Sequence, residues 1–152
     1  MKSKPHCSTT SLRGRLLASS VFAVASVATT TAIAGDLVIE VSGALPNRGK
    51  VYVAVYDRAE AFPINGRQLT GQILSPEGTH LTVRFEDLPP GSYAAVAFQD
   101  LNGNGKLDKN FLGIPKEPYG FSNGARGSAG PPKFAAAAVS LNPDGATAIA
   151  LK

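Results

Sequence analysis

The run Asp100-Leu101-Asn102-Gly103-Asn104-Gly105-Lys106-Leu107-Asp108 places side-chain oxygens at alternate positions and a glycine where a backbone must turn sharply. Calcium takes about six to eight oxygen ligands, and alternate residues of a tight loop aim theirs at a common centre. Asp100, Asn102 and Asn104 supply side-chain oxygens, Lys106 its backbone carbonyl, and Asp108 a carboxylate that ligates directly or through water. The spelling matches the first nine positions of the calcium-loop pattern D-x-[DN]-x-[DN]-G. The EF-hand version closes with a bidentate Glu at its twelfth position, where this chain has Phe111. The remaining ligand must come from elsewhere. Glu117 is the expected one, with Asn110 and Asp57 as further candidates. Two carboxylates in the loop imply weak binding, ~10⁻⁴ to 10⁻³ M. Asn102-Gly103 and Asn104-Gly105 are also favoured turn dipeptides, so two polar turns without an ion share the same spelling.

The surrounding chain reads as short strands. Leu37, Ile39 and Val41 alternate with polar or exposed-type neighbours over 36–44, as do Val51, Val53 and Val55 over 50–57 and Leu81, Val83 and Phe85 over 79–86. That period of two is the mark of a half-buried strand. Residues 69–74 form a weaker strand, and 92–99, apolar on both faces, form a central one leading into the oxygen-rich loop. Residues 133–141 and 146–151 are expected as the last strands. Glycines and prolines between the loop and Pro132 exclude a helix or strand there. Phe111, Ile114, Tyr119 and Phe121 in the same stretch call for an ordered loop packed on the body rather than a disordered linker. The expected fold is all-β, an antiparallel two-sheet β-sandwich of Ig-like or prealbumin-like form, with about seven strands and one long ordered loop.

Residues 1–34 read as a signal peptide. A basic start (Lys2, Lys4, Arg13, Arg15) precedes the uncharged Leu16–Thr31 stretch, and Ala32-Ile33-Ala34 has the small-x-small spacing of a cleavage site. Residues 35–152 are then a single domain, periplasmic or secreted, with no transmembrane segment after cleavage. Four of the 15 basic residues and none of the 11 acidic ones precede Gly35, so the remainder is balanced at 11 of each. A nucleic-acid partner therefore has no electrostatic support. Cys7, the single cysteine, lies in the signal, which leaves no disulfide or thiolate chemistry.

Other chemistry-bearing residues carry less. His80 has no obvious partner, and adjacent Glu86 and Asp87 point to opposite sides of a strand. Gly120 to Gly127 with Arg126 is a candidate anion loop, although glycines there also simply let the chain cross a sheet edge. Tyr119, Phe121 and Phe134 suit either a ligand platform or the loop's own small core.

Residues 87–141 resemble the DUF2141 family of exported bacterial proteins. The resemblance is carried by Asp100 to Asp108, Asn110-Phe111-Leu112-Gly113-Ile114-Pro115, Glu117, Tyr119-Gly120-Phe121-Ser122-Asn123 and Gly130-Pro131-Pro132-Lys133-Phe134. It implies an exported β-sandwich similar to prealbumin-like and carboxypeptidase-regulatory-like modules, and little about activity. Family members often have His-Asp-Glu-Asn where this chain has Gln99-Asp100-Leu101-Asn102, which removes an imidazole and a carboxylate beside the loop. The expectation is a non-enzymatic protein whose Ca²⁺-ordered loop presents Tyr119, Phe121 and Asn123 to a glycan, a peptide or an envelope protein. The alternatives are a hydrolase using a metal-bound water at Asp100, Asp108 or Glu117, and an accessory domain with no ligand.

Overall fold

The computed structural model describes residues 33–152. The expected signal peptide, apart from its last two residues, and Cys7 lie outside that range. Among the described residues, eight strands form two sheets. One sheet holds β1 (Gly35–Ser42), β4 (His80–Leu88) and β8 (Gly145–Ala150) in the order β4-β1-β8. The other runs β3 (Thr70–Leu74), β2 (Lys50–Tyr56), β5 (Gly91–Asp100), β6 (Tyr119–Phe121). A further strand, β7 (Val139–Leu141), pairs with the start of β5, so β6 and β7 line one edge of β5 at its two ends. This is the β-sandwich that the alternation predicts.

The inward residues are the alternating ones. Leu37, Ile39, Val41, Val51, Val53, Val55, Val83, Phe85, Ala95, Ala97 and Ile149 make one buried core between the sheets. The double apolarity of β5 has a separate cause. Its outward Ala94 lies under a second cluster in which Tyr56, Ala61, Phe62 and Ala137 cover one end of the outer face. Phe62 meets Tyr56, Phe121 and Phe134 edge-on, with centroids 5.4 to 5.9 Å apart. Tyr93 closes the β4–β5 turn by donating its hydroxyl to the Pro89 carbonyl at 2.7 Å.

Three details differ from expectation. The pairing is antiparallel throughout except for β1 with β8, which run parallel. The turn after β7 carries the chain from one sheet into the other instead of folding β8 back beside β7. The segment 133–141 is not one strand. Phe134–Ala137 make a single turn of helix (α1), and only Val139–Leu141 join a sheet. Alanine is the best helix former, and the small Ala137 side chain lets the turn sit flush on β5. Finally, a strand does form in the Gly/Pro-rich stretch. β6 pairs Tyr119 with Phe98 and Phe121 with Val96, and Gly120 between them permits close approach to β8, since a Cβ there would lie 2.5 Å from the Ala150 carbonyl oxygen. Among the described residues, no helix is long and apolar enough to cross a membrane.

Candidate functional site

The oxygen-rich loop begins on the last residue of β5, and the preceding residue fixes its base. Gln99 is fully buried. Its amide nitrogen donates to the carbonyls of Leu45 and Arg48 at 2.8 and 2.6 Å, and its Oε1 accepts from the Leu45 N–H at 2.8 Å. One side chain thus holds the β1–β2 turn against the root of the loop. Gly49 completes that contact. At φ +58°, a Cβ would lie 1.9 Å from the Asp100 carbonyl oxygen, so only glycine fits.

Asp100 is 1% exposed and organises the turn through its carboxylate. Oδ1 accepts from the backbone N–H groups of Asn102, Gly103 and Asn104 at 3.2, 2.7 and 3.3 Å. Oδ2 accepts from Gly105 at 2.7 Å, with Gly105 at φ +72°, where a side chain is disfavoured. Burial works against the charge. The N–H donations, led by those of Gly105 and Gly103, outweigh it and hold the carboxyl below its ordinary range. The ladder then repeats: Asn102 Oδ1 accepts from Asn104 N–H at 3.1 Å, and Asn104 Oδ1 from Lys106 N–H at 2.8 Å. Both asparagine amide nitrogens point to Asp108, donating to its two oxygens at 2.6 and 2.9 Å.

Glu117 closes the neck. It is buried, and its two oxygens accept from the N–H groups of Leu101 and Asp108 at 2.8 and 3.0 Å, so one carboxylate spans the start and end of the loop. Asp100, Asn102, Asn104, Asp108 and Glu117 are therefore gathered in one structure, with Lys106 joining through its backbone. Their side-chain oxygens are occupied by N–H donors of the loop itself. For Asn102 and Asn104 to offer oxygens beside Asp108, both amides would have to turn over. Among the described residues no group of three or more His, Cys, Asp or Glu side chains is arranged to hold a metal ion. The other candidate donors lie apart: Asp57 pairs with Arg58 at 3.3 Å, and Asn110 is used in a different turn.

Asn110 builds the tip. Its Oδ1 accepts from Leu112 and Ile114 N–H at 2.9 and 3.0 Å, its own N–H bonds the Ile114 carbonyl at 2.8 Å, and Lys109 bridges to Pro115. Phe111 and Ile114, expected to pack on the body, instead face solvent. Phe111 is 94%, Leu112 67% and Ile114 55% exposed. The Asn110 bonds close Phe111 to Ile114 into a tight turn of their own, and its large side chains project into solvent. This tip is the feature that reading for oxygen ligands passed over. Its signal in the sequence is an apolar Phe-Leu-Gly-Ile run bracketed by Lys109 and Lys116.

The residues expected to form a ligand surface are distributed differently. Tyr119 and Phe121 lie half-buried on the outer face of β6, in edge-to-face contact at 5.9 Å, and Phe121 packs into the second cluster through Phe62. Asn123 is tied down: its N–H bonds Thr147 Oγ1 at 3.0 Å and its amide donates to the Ala136 carbonyl at 3.2 Å. Beside Tyr119, Phe98 stacks on Tyr52 with centroids 5.0 Å apart and planes 9° from parallel, so those rings spend their faces on each other. Ser122 is buried and staples this edge, accepting from Ala95 N–H at 2.8 Å and donating to Ala137 O at 2.6 Å. Two shallow depressions, one around Arg58, Ala61 and Arg67 and one around Gln72, Arg84 and Glu86, are lined by residues outside the Asp100–Asp108 loop. His80 is exposed and sits 2.9 Å from the Thr79 hydroxyl through Nδ1.

A model of the family described as "Uncharacterized protein conserved in bacteria (DUF2141)" matches residues 39–149. No curated protein and no solved structure matches the chain.

Proposed function

The chain belongs to the DUF2141 family, and from that premise we propose that it is a non-catalytic binding module whose working part is the Lys109–Lys116 tip. The supporting observation is the contrast between the clasp and what it carries. Asp100 and Glu117 commit two buried carboxylates to six N–H donors, and the ordered chain beyond them displays Phe111, Leu112 and Ile114 to water. An exposed, contiguous apolar patch on an ordered element marks an interaction surface more often than a scattered apolar residue does. In this reading the clasp is held by its own hydrogen bonds. Export to the periplasm or beyond is part of the proposal and rests on the N-terminal sequence.

Site-specific photocrosslinking in the producing cells tests it. A photoreactive phenylalanine at position 111 is expected to form adducts that the same probe at Glu77, an exposed turn residue, does not. Equal yields at the two positions would remove the tip from consideration.

A further inference from the structure

Resting on the proposal that the tip is the binding surface, we propose that its partner is the surface of an anionic lipid bilayer. Three features of the tip point there together. The first is its shape. Phe111, Leu112 and Ile114 project from a narrow turn closed by the Lys109–Pro115 bridge, and they are 94, 67 and 55% exposed. A convex apolar tip cannot enclose a small molecule, but it can enter a layer that deforms around it.

The second is charge. Lys109 and Lys116 flank the tip, both are exposed, and neither forms an ion pair with a described residue. The third is the placement of the acids that could have cancelled those charges. Asp108 and Glu117 are the only carboxylates between Leu101 and Pro118. Asp108 receives both asparagine amides, and Glu117 is buried against two backbone N–H groups. The lysines are thus exposed, while Glu117 is buried and the half-buried Asp108 is turned to the asparagine amides. Apolar side chains flanked by lysines match a bilayer interface: the apolar groups enter the acyl boundary, and the lysine stems lie along it with their ammonium groups at lipid phosphates. Each lysine near an anionic surface strengthens binding about five-fold. The two together account for a factor on the order of 25.

Vesicle co-sedimentation tests this. Wild-type protein purified from the producing cells is mixed with vesicles of phosphatidylcholine alone or with one third phosphatidylglycerol. Each variant carries the same N-terminus as wild type, so differences report the tip. Binding to the anionic vesicles is expected, falling on the order of ten-fold or more for Phe111→Asp. Lys109→Ser and Lys116→Ser together should lower it by roughly 25-fold. Ile73→Ser, which removes a 58%-exposed apolar residue on β3, should leave it unchanged. Circular dichroism melts of each variant, expected to match wild type, separate loss of the surface from loss of the fold.

Wild-type binding no tighter than that of well-folded Phe111→Asp, or equal binding to neutral and anionic vesicles, overturns the proposal. So does a crosslink from position 111 to a protein without vesicle binding, but that outcome leaves the tip as a binding surface. Neither crosslink nor vesicle binding removes both.

Discussion

Replacing Asp100 by Ala removes the acceptor for four backbone N–H groups. Two of those bonds are short, 2.7 Å to Gly103 and Gly105, and two are long, 3.2 and 3.3 Å. A hydrogen bond to a charged group contributes about 1.5–3 kcal/mol net. The N–H groups of the exposed residues 102 to 104 regain water in the variant, which offsets part of the loss. The short pair then sets the scale, at about 3 kcal/mol. For a domain of this size that is a fall of roughly 10–15 °C in melting temperature. Asp100→Asn keeps the shape and one acceptor but turns an NH₂ toward an N–H, so its cost falls between wild type and Ala. The pH dependence follows from the depressed carboxyl. A group whose pKa is lower in the folded state stabilises fully above its unfolded value, about 3.9, and loses that contribution as pH falls through the folded value. The gap between wild type and Asp100→Ala should therefore be constant from pH 8 to about pH 5 and narrow below about pH 4. Circular dichroism melts at pH 7 and pH 3 measure it, and amide exchange at Gly103 and Gly105 localises it. A gap under about 2 °C at pH 7, or one that is the same at pH 3, would refute the role given to this carboxylate.

Two further outcomes bear on the same loop. Because Asn102 and Asn104 turn their NH₂ groups rather than their oxygens to Asp108, millimolar Ca²⁺ should raise the melting temperature no more than the same concentration of Mg²⁺. A Ca²⁺-specific rise that disappears in Asp108→Ala would show instead that Asp108 belongs to a cation site. Gly49→Ala should cost about 3 kcal/mol in urea denaturation, from a left-handed backbone plus the clash with the Asp100 carbonyl. Gly66→Ala, also at positive φ but with open space around it, should cost only about 1–2 kcal/mol.

The strands were legible because their burial has the period of the sequence. Leu37, Ile39 and Val41 must share a face whatever lies opposite, and the same holds for Val51, Val53 and Val55. The Asp100–Asp108 loop was legible for a similar reason, since Asx side chains and glycines act on backbone a few residues away. What local patterns do not carry is pairing at a distance. Nothing within 145–150 states that β8 runs parallel to β1. β6 is held by Phe98 and Val96, more than twenty residues earlier, and by the backbone bonds between Tyr119 and Lys152. The alanines of 134–137 suit a helix and a strand almost equally over so short a span, and the room left beside Ala94 decided it. Gln99 shows the same limit from another side. A glutamine in an apolar strand reads as a minor irregularity until the turn at Leu45–Arg48 arrives to use all of its amide.

The asymmetry between clasp and tip also bears on what each part of the loop is for. An exposed phenylalanine contributes nothing to folding, because it buries no surface. Phe111, Leu112 and Ile114 are thus free of the constraint that holds Val53 or Ala97. The residues at the neck are under the opposite constraint, since each buried carboxylate oxygen left without its N–H would destabilise the fold. Ordering the chain around an apolar tip costs conformational entropy that the tip's own contacts do not offset. The Asn110 hydrogen bonds, on the neck closed by Asp100 and Glu117, offset it in advance, so a partner meeting Phe111 need not order the loop on binding. That division makes the tip's chemistry separable from the fold: Phe111→Asp should alter binding without altering stability, and Asp100→Ala should weaken both.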